Sequence, residues 1–118
     1  MAARYKVGSL FAGVGGIELG FQQVNNGQDF EILWANEFDE NACRTYRLNF
    51  EHELIEQDVH QLDAGKLPAV DVLTAGFPCQ AFSVAGYREG FRDPRGNLFF
   101  EIMRVIEELP EKPRVLFL

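Results

Sequence analysis

Apolar residues in this chain fall into short runs separated by polar stretches of helical period, the alternation expected of a parallel sheet wrapped by helices. The run at residues 5–11 ends in glycines and predicts a buried strand. Residues 15–24 place Ile17, Leu19, Phe21 and Val24 at loosely helical spacing, and Asn25, Asn26 and Gly27 close that helix. A second strand is predicted at 30–36. Asp39 suits a helix N-cap, and Ala42, Cys43, Tyr46 and Leu48 supply the apolar positions of the helix behind it. Residues 54–56 read as a brief third strand, and 70–75, after the breaker Pro68, as a fourth.

Residues 76–95 are irregular and rich in glycine, long enough to predict a functional loop. Asp93 and Pro94 then open a helix to about residue 108, with Leu98, Phe99, Ile102, Met103, Val105 and Ile106 as its apolar face. Glu101, Glu107 and Glu108 read as its solvated face. Pro110 and Pro113 end it, and residues 115–118 predict a fifth strand. The fold class is therefore α/β, a Rossmann-like, doubly wound and mainly parallel sheet. Such sheets carry their functional residues just beyond the carboxyl ends of the strands.

The turn after the first strand, Phe11-Ala12-Gly13-Val14-Gly15-Gly16, lets the backbone bend sharply and approach a ligand closely. Glu37 follows the second strand, where nucleotide-binding folds place an acid on ribose hydroxyls. A dinucleotide fingerprint would want a third glycine at position 18, which is Glu18. The turn thus suits a cofactor without a pyrophosphate, such as S-adenosylmethionine, better than NAD. Phe38 offers a ring to stack on adenine, and Asp58, beyond the third strand, an acceptor for its amino group. Turn, Glu37 and Asp58 fall at the ends of three successive strands.

Beyond the fourth strand lies Gly76-Phe77-Pro78-Cys79-Gln80. Cys43 fits a helix core, whereas Cys79 opens a loop, where a thiol is available as a nucleophile. No histidine lies nearby in sequence to act as its base, which argues against a papain-like hydrolase. Ser83, Arg88, Arg92 and Arg95 follow, suited to phosphate contacts.

Composition bounds these readings. The 118 residues allow one domain, and 47% hydrophobic with 25% charged is ordinary for a globular chain. No stretch approaches the ~20 apolar residues of a membrane helix, and the start of the chain does not read as a secretory signal. Two cysteines, no CxxC and two histidines give little support for a disulfide or a metal site. The net charge of −7 repels phosphate, so either the chain makes little contact with nucleic acid or a basic surface for it lies elsewhere.

These motifs, in this order, resemble the N-terminal part of the DNA (cytosine-5)-methyltransferases over nearly the whole chain. The resemblance assigns Phe11, Ala12, Gly13, Gly15, Gly16, Glu37, Phe38, Asp58, Val59, Gly76, Pro78 and Leu98 to the S-adenosylmethionine site, Leu98 through the segment Arg95-Gly96-Asn97-Leu98-Phe99. It makes Cys79 of the Pro-Cys-Gln motif the nucleophile toward carbon 6 of a flipped cytosine. Gln80, Ser83, Arg88 and Arg95 become candidate contacts to double-stranded DNA. It implies the first five strands of the methyltransferase sheet, residues 1–118 being the N-terminal part of a catalytic domain.

The family's Glu-Asn-Val motif would follow the fifth strand, and Arg114-Val115-Leu116-Phe117-Leu118 stops just short of it. Its later arginine motif and target-recognition domain are missing as well. The resemblance therefore implies an enzyme that needs a C-terminal continuation or a complementing polypeptide, in a cytoplasmic, nucleoid-associated setting of a bacterium or phage. Two readings compete with it. One is a non-catalytic module that binds S-adenosylmethionine or a partner, against which the intact cysteine motif argues. The other, an NAD domain, is disfavoured by Glu18.

Overall fold

The computed structural model describes residues 4–76 and 97–118. They form strands β1 (Tyr5–Leu10), β2 (Phe30–Glu37), β3 (Glu53–Glu56), β4 (Val72–Ala75) and β5 (Val115–Phe117), and helices α1 (Gly16–Gln23), α2 (Glu40–Asn49) and α3 (Asn97–Glu108). All strand pairs are parallel, in the order β3-β2-β1-β4-β5. Strand order reverses between β1 and β4, the topological switch point of a doubly wound sheet.

Side-chain alternation along β1 distributes the core. Val7 points to one face, where it packs with Ile32, Val72 and Phe21 of α1. Leu10 points to the other, packing with Leu73 and with Ile102, Val105 and Leu109 at and beyond α3. Tyr46 and Phe50, in and after α2, close over Ala35 on the α1 side. Helices thus cover both faces, as a parallel sheet requires.

One irregularity tightens the seam between β1 and β2. Their register slips between Val7, opposite Ile32, and Gly8, opposite Trp34. The bulge turns Trp34 onto the α3 face, where it is fully buried and its Nε1 donates to the Pro68 carbonyl at 3.2 Å. Gly8 accepts the indole only because it lacks a Cβ, which would collide with the Trp34 ring.

Asp39 caps α2 as expected, its carboxylate accepting from the Ala42 amide at 2.8 Å. Cys43 is buried beneath the cap, and burial, then the Glu56 and Glu37 carboxylates, push its thiol up, away from reactivity. After α1 the chain reverses through Asn25 and Asn26 at φ 48° and 55° and Gly27 at 78°, left-handed conformations these residues tolerate best.

Several expectations are corrected. Phe11 is not in β1; at φ 54° it already belongs to the turn. Leu19, Val24 and Leu48 are exposed, while Glu18 faces the core in their place. Val70 is buried but precedes β4. Glu107 and Glu108 are exposed as expected, whereas Glu101 is only partly so; Glu101 and Glu108 both pair with Arg104, at 3.0 and 2.9 Å.

Candidate cofactor and active site

The carboxyl ends of β1, β2 and β3 open onto one cleft of about 220 Å³. Among its walls are Phe11, Glu37, Phe38, Asp58, Val59 and Leu98, six of the residues assigned from sequence. Asn36, Gln57 and His60 complete it and were not foreseen. A larger hollow of about 480 Å³, walled by Arg4, Phe30, Glu31 and Asn49 to His52 among others, lies at the amino ends of the strands. Its place, away from the switch point, argues against it as the reaction site.

Glu37 is the hub of the cleft. Its Oε1 accepts from the Gly13 amide at 2.8 Å, and its Oε2 from the Phe38 and Asp39 amides at 2.8 and 2.7 Å. One carboxylate thus ties the glycine turn to the β2–α2 junction. A carboxylate offers about four acceptor sites, so three amides leave room for a ligand hydroxyl. Asn36, buried beside it, donates to the Ile55 and Gln57 carbonyls, both at 2.9 Å, and joins β2 to the end of β3.

Asp58 caps the 3₁₀ turn Val59–Gln61 through its Oδ1, which accepts from the His60 amide at 2.9 Å. The His60 Nδ1 lies 2.6 Å from the same oxygen. The backbone bond first, and the imidazole second, hold the Asp58 carboxyl below its usual range. Asp58 is therefore an acceptor at neutral pH. Phe38 stands at the rim with 68% of its surface exposed, an orientation that suits a stacking platform better than a core residue.

The glycines divide by what surrounds them. Gly13, at φ 60°, and Gly16 have open space where a Cβ would stand. Gly15, at φ 96°, is different: a Cβ there would collide with Phe50, so it serves α1 packing on α2 as well as the turn. Gly76 lies against the turn, its missing Cβ 3.5 Å from the Phe11 carbonyl oxygen. Ala12 donates to the Asn36 carbonyl at 3.1 Å, which pins the turn to β2.

Two supports were invisible in the sequence pattern. Arg104 of α3 reaches back to the Val59 and Leu62 carbonyls at 2.7 and 3.0 Å, clamping the segment that carries Asp58. Under the turn, Glu18 is buried, and its Oε1 accepts from the Ser9 hydroxyl at 3.0 Å. Burial pushes the Glu18 carboxyl up, against the smaller opposing pull of Ser9. Nearby, burial and then the Glu18 carboxyl push the Tyr46 hydroxyl up, and burial pushes His52 down. The Tyr46 hydroxyl and His52 Nε2 share a hydrogen bond of 2.5 Å, whose direction follows the imidazole tautomer.

Pro78, Cys79, Gln80, Ser83, Arg88 and Arg95 lie outside the described residues. Among the described residues no group of three or more His, Cys, Asp or Glu is placed to hold a metal ion.

A parallel sheet ordered 3-2-1-4-5, with a glycine turn after β1 and a carboxylate after β2, defines the Rossmann-like class of α/β folds. The model of the family described as C-5 cytosine-specific DNA methylase matches residues 5–118, and the chain belongs to that family. It is 52% identical over 114 residues to the type II methyltransferase M.Bsp6I of Bacillus sp. (strain RFL6), covering 96% of this chain and 35% of that protein. It is 44% identical over 114 residues to M.NlaX of Neisseria lactamica, with 97% and 35% covered. Among solved structures it is similar to the S. pombe Dnmt2 methyltransferase, at 25% identity and TM-score 0.72, covering 96% of this chain and 35% of that one. The chain thus spans about a third of the length of these relatives.

Proposed function

We propose that this chain is the cofactor-binding and nucleophile-bearing part of an enzyme that methylates carbon 5 of cytosine in DNA. The observation that carries the proposal is the Glu37 hub, which gathers the glycine turn, Phe38 and, across one cleft, Asp58. The cleft's polar and apolar walls fit an adenosine: Glu37 for the ribose hydroxyls, Asp58 for the adenine amino group, and Phe38 with Val59 and Leu98 for the ring faces. Gly13 and Gly16 leave the turn open to the rest of the cofactor. S-adenosylmethionine supplies the methyl group when bound.

In this reading Cys79 attacks carbon 6 of a cytosine flipped out of the duplex, at a cost of a few kcal/mol in stacking and pairing. The new sulfur–carbon bond sends an electron pair to carbon 5, which takes the methyl group. Loss of the carbon-5 proton and expulsion of the thiolate restore the aromatic ring and the enzyme. Gln80, Ser83, Arg88 and Arg95 contact the DNA strand, and an intracellular setting follows from that substrate. The family relation of a third-length chain further supports a functional unit completed by the rest of the catalytic domain, as a continuation or a second polypeptide.

The test uses duplex DNA carrying 5-fluorocytosine, whose fluorine cannot leave as the proton does. The chain, with S-adenosylmethionine and the C-terminal two thirds of M.Bsp6I supplied as a second polypeptide, is expected to form a covalent adduct on Cys79, and Cys79→Ala none. Isothermal titration with S-adenosylhomocysteine runs beside it, Glu37→Ala weakening binding at least tenfold. Cofactor binding without an adduct would point to a non-catalytic cofactor-binding module.

A further inference from the structure

We propose that His60 makes the cleft specific for a 6-aminopurine, by holding Asp58 so that one carboxylate oxygen is left for the exocyclic amino group of the base. The inference deepens the cofactor reading above and rests on it. Asp58 by itself is a poor reader. Its side chain is 39% exposed, and the terminal torsion of an aspartate is broad, so its oxygens are free to turn.

Two donors from one residue remove that freedom. Asp58 Oδ1 accepts from the His60 amide at 2.9 Å and lies 2.6 Å from the His60 ring Nδ1. An ionised carboxylate has no hydrogen to give, so Nδ1 carries the proton of the second bond. Each carboxylate oxygen has about two acceptor sites, and Oδ1 is therefore filled. None of the described residues bonds Oδ2. The oxygens thus divide their duties: one is tied to the turn, and the other is left to a ligand in the cleft that Asp58 and His60 both line.

The backbone places the ring. His60 is the middle residue of the 3₁₀ turn Val59–Gln61, and Arg104 bonds the Val59 and Leu62 carbonyls on either side of it. The imidazole is thus presented to Asp58 from an anchored segment. What the arrangement selects follows from the edge of the base. A 6-amino group donates to Oδ2, whereas a 6-oxo group sets one acceptor against another and leaves the carboxylate unpaired. A freely turning Asp58 would escape that clash by swinging toward water. Discrimination therefore depends on the hold as well as on the carboxylate, which makes His60 a positioning residue.

The test titrates the chain with S-adenosylhomocysteine and with S-inosylhomocysteine, which carries a 6-oxo group in place of the 6-amino group. Wild type is expected to prefer the amino ligand by about tenfold to a hundredfold, the worth of one hydrogen bond to a charged group. His60→Ala alters a side chain that is 54% exposed, so it spares the fold, and it is expected to lose most of that preference. His60→Asn, whose amide nitrogen can take the place of Nδ1, is expected to restore it. Circular dichroism checks that each variant is folded. A folded His60→Ala chain that binds both ligands more weakly, in the wild-type ratio, would overturn the proposal, because a merely structural role moves both alike. So would a His60→Asn chain no more selective than His60→Ala. Equal binding of the two ligands by wild type would overturn it while leaving the cofactor reading intact. Binding of neither ligand would remove that reading as well.

Discussion

On the β2–β3 flank of β1, polar groups at the strand ends find partners: Asn36 bonds two carbonyls, Glu37 three amides, and Asp58 its neighbour His60. On the β4–β5 flank, α3 covers one face, and the opposite face leaves Val115 and Phe117 half exposed. The contrast separates two tasks. On the proposed reading, the first flank would meet a small ligand with prearranged donors and acceptors, with little left to organise on binding. The second offers exposed apolar area and, among the described residues, a strand edge that no other strand pairs.

The contrast can be broken most forcefully at the seam. Gly8→Ala drives a methyl group into the Trp34 indole and should cost about 2–3 kcal/mol, an overpacking penalty. Chemical denaturation would measure it. Because the bulge underlies the β1–β2 strand ends, cofactor affinity should fall with stability; an unchanged midpoint would show that the seam yields more easily than its packing implies.

A middle-sized effect should come from Arg104→Ala. It strips the Leu62 carbonyl of its side-chain donor, leaves the Val59 carbonyl with only the Leu62 amide, and removes the cation between Glu101 and Glu108, worth about 1–3 kcal/mol. Its sharper signature is selective: S-adenosylhomocysteine binding should weaken several-fold, since the clamp holds the segment bearing Asp58. Stability loss with full affinity retained would make Arg104 a purely structural tie.

The smallest effect depends on pH. Burial raises the Glu18 carboxyl pKa, so the folded chain holds that proton more tightly than the unfolded one. Its contribution is therefore complete below the ordinary carboxylate range and is lost as pH rises through the raised value. Glu18→Gln removes this dependence. The variant should match wild type near pH 4 and exceed it near pH 8, the gap opening as pH rises through the raised value. The opposite shift of Asp58 is common to both proteins and cancels in the difference. Parallel stability curves would mean that Glu18 ionises freely in the fold.

Local pattern reached the architecture because each strand and helix carries its own signal: Asp39 announces α2, Pro68 precedes β4, and the apolar runs mark the strands. It reached the cleft's main residues because they cluster at strand ends. It failed where a side chain's fate depends on a distant neighbour. Glu18 looked like a broken glycine fingerprint, yet it is buried because Ser9 waits across the turn, while Leu19 beside it turns outward. Arg104 drew no reading at all, because the Val59 and Leu62 carbonyls it clamps lie more than 40 positions away, and Glu108, though exposed as read, also accepts from the equally distant Ala64 amide. Trp34 needed both a bulge and a glycine on another strand, and neither is legible from its own segment.

Trp34 is also the one tryptophan in the chain. Fully buried against Gly8, with its indole nitrogen tied to Pro68, it makes the protein's intrinsic fluorescence a report from a single known place. Emission should shift to longer wavelength when the β1–β2 seam opens to water. Because the indole lies inside the sheet's packing and does not line the cleft, its emission follows unfolding rather than ligand contact.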